Sequence, residues 1–258
     1  MGSATIALGL GLGGGKSGTS SGGGLPSSGM SNSNSVSLDG TDDYVLMNSS
    51  YDLGTLSAWF KSDSTINKSS AMKTIVGFTG VSTYAAFASI QTGGNVTGAV
   101  TDELITLYTG DWAYSYSSSS GSINTDWHHL AVRWSGSDYE IYLDGVQVKN
   151  DDGQVVGNQS KANIPISSFD VGIRGGSSRA FDGLIDEVAI WSTPLSASDT
   201  AALYNSGVPS DLSSLSPNGW WRMGDNDGGT GSTVTDQGSG SNDGTLRNGA
   251  SFSTTVPG

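Results

Sequence analysis

Apolar and polar residues alternate with a period of two along residues 127–148, WHHLAVRWSGSDYEIYLDGVQV. Leu130, Val132 and Trp134 fall on one side of an extended chain, and His129, Ala131 and Arg133 on the other. After Ser135-Gly136-Ser137, Tyr139, Ile141 and Leu143 alternate against Glu140 and Tyr142. Asp144-Gly145 suits the positive φ of a tight hairpin turn, and Val146 and Val148 leave it as a third short run. Such a meander cannot bury its apolar face alone, so the rest of the chain must supply a second sheet.

Most of the chain reads the same way. Val36 and Leu38 alternate, Asp39-Gly40 turns, and Tyr44–Met47 returns. Leu56–Phe60, Thr74–Phe78, Tyr84–Ile90, Val96–Val100 and Leu104–Tyr108 follow as short runs, with Lys61–Ala71 a polar loop between the first two. Phe169, Val171 and Ile173 make another strand, and Phe181–Trp191 the last long one. Short strands divided by Gly and Ser clusters predict a sandwich of two antiparallel sheets. One helix is expected, with Ser196 as N-cap, Asp199 at the third position and Gly207 as its stop.

Four motifs carry a family resemblance. They are Ser37–Val45 (SLDGTDDYV), Trp127–Ala131 (WHHLA), Ile141–Gly145 (IYLDG) and Phe181–Trp191 (FDGLIDEVAIW). In this order they resemble the laminin-G-like, concanavalin A-like jelly roll. The resemblance implies an all-β, antiparallel two-sheet jelly-roll sandwich with one short helix after the last strand. It leaves function open, because this fold hosts lectins, adhesion modules, enzymes and structural modules. Three regions are expected: a Gly/Ser-rich N-terminal arm over 1–34, the jelly roll over 35–207, and a segment over 208–258. The last region, with Gly219–Asp225, Thr233–Asp236 and Asp243–Ala250, resembles the lead-in that usually precedes the Leu-Asp-Gly strand of this family. Here it follows the helix, an order that a circular permutation permits. It is expected to complete the same sandwich, or else the sheet of a neighbouring subunit.

The resemblance also implies a structural calcium ion, with Asp186 of the Ile-Asp-Glu-Val strand as a ligand. Asp39, Gly40, Asp42 and Asp43 could add oxygens, since first and last strands tend to be neighbours, and Ca²⁺ takes six to eight of them. The alternative is that Asp186 accepts backbone N–H bonds at a strand edge. The loop at Asp225 and Asp227 is a weaker acidic candidate.

Composition sharpens this picture. The 258 residues include 39 Gly but only 6 Pro, and charged residues are 14%. The net charge is −13, nearly all from Asp; the glutamates are Glu103, Glu140 and Glu187. Much of the acidity sits in Asp-Gly turns, and no basic stripe exists to meet nucleic acid. There is no cysteine, hence no disulfide or thiolate site. The opening residues lack the pattern of a signal peptide, and no apolar run is long enough to span a membrane.

Within the arm, Ile6, Leu8, Leu10 and Leu12 are spaced by small residues, and residues 13–24 are nearly all Gly, Ser and Thr. Alone, such a segment cannot offset its ordering entropy. If it orders, it does so against a partner or a neighbouring copy, with those four apolar side chains as pegs. Gly13–Ser17 (GGGKS) mimics a phosphate loop, but Leu10 stands where that pattern needs glycine and no helix follows.

Catalysis is not expected. Jelly rolls of this superfamily that cleave glycans carry a Glu-x-Asp-x-x-Glu strand, absent from a chain with three dispersed glutamates. Asp186 and Glu187 are neighbours on a strand and so should face opposite ways. His128 and His129 diverge likewise, and His129 reads as a satisfied or half-exposed sheet residue. An aromatic run remains: Trp112, Tyr114 and Tyr116 share a face if extended. They read as a sugar platform, a protein-contact surface or simple packing.

Two functions are expected from different classes. The first is a non-enzymatic virion protein of a bacterial virus, a capsid decoration, head fibre or tail component. It would dock through its arm on other virion proteins or on copies of itself. The second is a lectin-like adhesin, extracellular or surface-bound, that holds host glycans through Trp112–Tyr116.

Overall fold

The computed structural model describes residues 30–67, 70–79, 88–92, 105–109, 112–116, 122–135, 138–148, 165–166, 168–175 and 179–258. The arm residues Ile6, Leu8, Leu10 and Leu12 and the run Val96–Val100 lie outside them.

The strands follow the alternating runs. In chain order they are β1 (Ser35–Asp39), β2 (Tyr44–Met47), β3 (Tyr51–Asp52), β4 (Thr55–Ser62), β5 (Lys73–Thr79) and β6 (Ala88–Thr92). Then come β7 (Ile105–Thr109), β8 (Trp112–Tyr116), β9 (His128–Ser135), β10 (Asp138–Leu143), β11 (Val146–Gln147) and β12 (Pro165–Ile166). The rest are β13 (Ser168–Val171), β14 (Asp182–Trp191), helix α1 (Ala197–Ala202), β15 (Gly219–Trp221), β16 (Thr233–Val234), β17 (Gly244–Arg247) and β18 (Ser251–Ser253).

They build two antiparallel sheets. One runs β11-β10-β9-β4-β14-β1-β18, with β15 also paired to β14. The other runs β16-β17-β2-β13-β5-β6-β7-β8, and β3 pairs β12 beside them. This is the concanavalin A-like jelly roll, mostly β with one short helix among the described residues. Alternation decides the packing. Leu130, Val132, Trp134, Tyr139 and Ile141 point into the core between the sheets, with Val45, Phe78 and Phe169 from the facing sheet. Odd and even positions exchange roles on the outer face, where Ala131, Tyr142, Ala189, Trp191 and Trp220 form a second apolar cluster with Leu203 and Leu212. The first sheet is therefore covered on both sides.

The segment after α1 contributes to both sheets. β15 pairs β14, β17 pairs β2, and β18 pairs β1. Trp221 is fully buried, edge-on to Tyr51 and Phe169. At the helix start, the Ser196 Oγ accepts the Asp199 N–H at 3.0 Å, the N-cap bond anticipated there, while the Asp199 carboxylate accepts the Ser196 hydroxyl at 2.6 Å rather than the backbone N–H of a capping box. A 3₁₀ turn, Asn205–Gly207, follows the helix.

Candidate functional site

Three places carry chemistry. The first is the β1–β2 turn, where carboxylate oxygens of Asp39, Asp42 and Asp43 lie within 4.8 Å of one another. Asp39 accepts the Thr41 N–H, and Asp43 accepts the Asp39 N–H, so each keeps further acceptor capacity. Burial, with the nearby Asp39 and Asp42 charges, holds the Asp43 carboxyl above its ordinary range. A hard cation would relieve that crowding, and these all-oxygen donors suit Ca²⁺.

Asp186 does not join them. β1 and β14 pair with Asp39 opposite Asp182 and Val36 opposite Ile185. Asp186 therefore sits four residues along the strand, roughly 13 Å from that end at the usual rise. Its carboxylate is committed elsewhere: Oδ1 accepts the Glu187 N–H at 2.8 Å and Oδ2 the Asn32 Nδ2–H at 3.0 Å. β14 is an inner strand of its sheet, so no strand edge is involved.

The second place is Asp186 and Glu187 themselves, and it corrects the expectation that they face apart. Strict alternation fails because pairing with β4 slips between Asp186 and Ala189, and Glu187 adopts φ 48. Such a bulge turns both side chains to the outer face. Glu187 accepts Trp220 Nε1–H at 2.7 Å and Arg222 Nε–H at 3.0 Å. Arg222 also bonds Asp225 at 2.6 Å and the Ser31 carbonyl. The other Asp225 oxygen accepts the N–H groups of Ser33 and Asn34, both at 2.8 Å. Two carboxylates, Glu187 and Asp225, thus share one arginine, while Asp186 beside them has none among the described residues. Burial, then the neighbouring Glu187 charge, pushes Asp186 well above the carboxylate range. Burial raises Glu187 to about 7 although Arg222 pulls it down. This network was not legible beforehand, since its members are distant in sequence; the nearness of Arg222 to Asp225 was its only local trace.

His129 also departs from expectation. It is 1% exposed, and its Nδ1 has no hydrogen-bond partner among the described residues. Burial lowers its pKa to about 4. With the equally unpartnered Ser210 Oγ and with Glu187, it lines a cavity of about 10 Å³, room for one water. His128 diverges as expected and bonds Asp144 at 2.7 Å.

The third place is β8, the end strand of its sheet among the described residues. Its backbone is extended, with Trp112 opposite Thr109, Tyr114 opposite Leu107 and Tyr116 opposite Ile105. Directly paired residues share a face, so all three positions lie on the face that Ile105 buries in the core.

Comparisons with known proteins agree with the architecture. A family model described as the concanavalin A-like lectin/glucanases superfamily matches residues 31–201. No curated protein sequence matches the chain. Among solved structures, a carbohydrate-binding candidate from Bacteroides ovatus superposes with a TM-score of 0.62 at 18% identity, over 88% of this chain and 62% of that one. The chain thus spans less than two thirds of that protein. A heptameric SAP-like pentraxin from Limulus polyphemus gives 0.49 at 13%, over 67% and 82%. The CBM40 of the Ruminococcus gnavus IT-sialidase gives 0.43 at 12%, over 60% and 83%. These likenesses concern the fold. With two thirds of its length matched and the two-sheet jelly roll in place, the chain belongs to the concanavalin A-like lectin/glucanase superfamily.

Proposed function

We propose that this protein is a non-catalytic carbohydrate-binding module acting outside the cell or at a surface. In a superfamily of lectins and glucanases, the discriminating observation is the state of its paired carboxylates. Asp186 and Glu187 are sealed under the outer layer, at most 3% exposed, and bonded to Asn32, Trp220 and Arg222. A glycosidase needs two carboxyl groups flanking a bond in an open cleft. The Bacteroides structure, described as a carbohydrate-binding candidate, supports the same reading. Trp112, Tyr114 and Tyr116 remain a proposed contact; because their positions share the face of Ile105, a sugar would have to reach them along β8 rather than from the outer face. Labelled protein on a glycan array should bind a defined subset of sugars and release no reducing ends from them. Sustained release would overturn the non-catalytic assignment, and a blank array the binding one.

A structural Ca²⁺ at Asp39, Asp42 and Asp43 is part of the proposal. Millimolar Ca²⁺ should raise the melting temperature by about 5 °C over EDTA. The Asp39→Asn/Asp42→Asn double variant should lose that response; an unchanged response removes this site.

The virion-decoration reading rests on the arm. Under it, light scattering should find the full chain a defined oligomer and the protein lacking residues 1–34 a monomer. Equal masses would count against self-assembly through Ile6, Leu8, Leu10 and Leu12.

A further inference from the structure

On the side of the sandwich covered by α1, the β10–β11 turn and the end of the helix enclose a groove of about 380 Å³. Its walls are Asp144 and Val146 from the turn and Ala202, Tyr204, Asn205 and Ser206 from the helix and its 3₁₀ continuation. The volume lies within the range of small-molecule sites. We propose that this groove is a glycan subsite for neutral sugars, separate from β8. The inference rests on the carbohydrate-binding reading and assigns it a place.

The groove is held in shape. Gly145 lets the turn meet the helix: its φ is +74, and a Cβ there would stand 3.0 Å from the Ala201 carbonyl and 3.2 Å from Tyr204. Tyr204 stacks on Trp59 at 5.8 Å, which fixes its ring. The Asp144 carboxylate is oriented by the His128 ring at 2.7 Å and the His129 N–H at 2.9 Å. It keeps 30% exposure and unused lone pairs. Three of the wall residues, Asp144, Asn205 and Ser206, are non-glycine residues with φ of 51, 41 and 57. Left-handed backbone at such residues costs energy and gathers at binding sites.

The chemistry selects the ligand. One Asn205 Nδ2–H is given to the Val208 carbonyl at 3.1 Å, which fixes the amide and leaves its oxygen and one N–H for a ligand. With Asp144 and Ser206, the polar wall is rich in acceptors, which suits the hydroxyl donors of a sugar. Val146 is 70% exposed and supplies an apolar surface for the C–H face of a pyranose ring. Among the described residues no Lys, Arg or His lines the groove, and the chain carries −13. An anionic sugar would meet the Asp144 carboxylate with no lining cation among the described residues to offset it.

The test is an amide NMR titration of the ¹⁵N-labelled full chain. The probes are glucose, galactose, mannose, xylose, N-acetylglucosamine and N-acetylneuraminic acid, each to about 50 mM, which detects millimolar affinities. At least one neutral sugar should shift amides of residues 144–146 and 201–206. Asn205→Ala and Val146→Ala should each weaken that binding about fivefold or more, the first with a lower melting temperature because it also removes the bond to the Val208 carbonyl, the second with the melting temperature unchanged. N-acetylneuraminic acid should bind at least about tenfold more weakly, and equal binding would overturn the neutral class. Shifts confined to 112–116 or elsewhere would overturn the groove while the carbohydrate reading stands. If no sugar shifts any amide, the groove is overturned, and the glycan array alone decides the wider reading.

Discussion

Glu187 and His129 meet at one cavity and titrate in opposite senses. His129 is held near 4 in the folded protein against 6.5 when free, so the unfolded chain takes up the proton first. Its contribution is complete above about 6.5 and is lost as pH falls towards 4. Glu187 is raised to about 7 from 4.5, so the folded chain keeps its proton longer. Its contribution is complete below 4.5 and is lost as pH rises through 7, and Asp186 acts in the same direction. Melting temperatures from pH 4 to 8 should therefore pass through a maximum. His129→Phe should flatten the acid side, and Glu187→Gln the neutral side. A wild-type curve that is flat on both sides would contradict these assignments. Alternation in residues 127–135 already placed His129 on the face away from the core. It did not reveal the lid of Leu203, Ser210 and Leu212, which comes from more than seventy positions away and deprives the ring of a partner.

At the scale of elements, the strands and the helix cap were legible because they depend on near neighbours. Ser196→Ala should cost about 1 kcal/mol in denaturant unfolding, since it removes both halves of the reciprocal bond with Asp199. The bulge in β14 was not legible, because nothing in Ile-Asp-Glu-Val breaks the period of two. It lies where β14 passes from pairing β1 at Asp182–Ile185 to pairing β15 at Val188–Ile190, with β4 paired on either side of the break. Close packing within that sheet also makes Gly183 obligatory. Its φ is +141, and a Cβ would lie 2.1 Å from the Lys61 carbonyl. Gly183→Ala should destabilise by at least about 2 kcal/mol, measured in the same unfolding experiment.

The whole molecule is knit by its ends. The stretch from 219 onward adds strands to both sheets and buries Trp221, Met223, Val234 and Leu246 in the common core. Asp225 and Arg222 grip the chain at 31–34 as it enters β1. A protein ending at residue 218 should therefore lose cooperative folding altogether. Calorimetry of the full chain should show the described sandwich melting as one transition. A stable, melting product of that truncation would mean that the last strands are an appendage.

The amino-acid sequence by itself determined the strands, the two-sheet class, the core-facing positions of the 127–148 meander and the helix cap. Each follows from periodicity or from groups a few residues apart, which local chemistry governs. Tertiary structure alone decided the partnership of Asp186, Glu187, Asp225 and Arg222, the separation of Asp186 from the Asp39–Asp43 turn, and the groove between Asp144 and Asn205. These depend on register, on one bulge and on which distant segment covers an outer sheet face. Such contacts join residues far apart in the chain, and no local pattern encodes them.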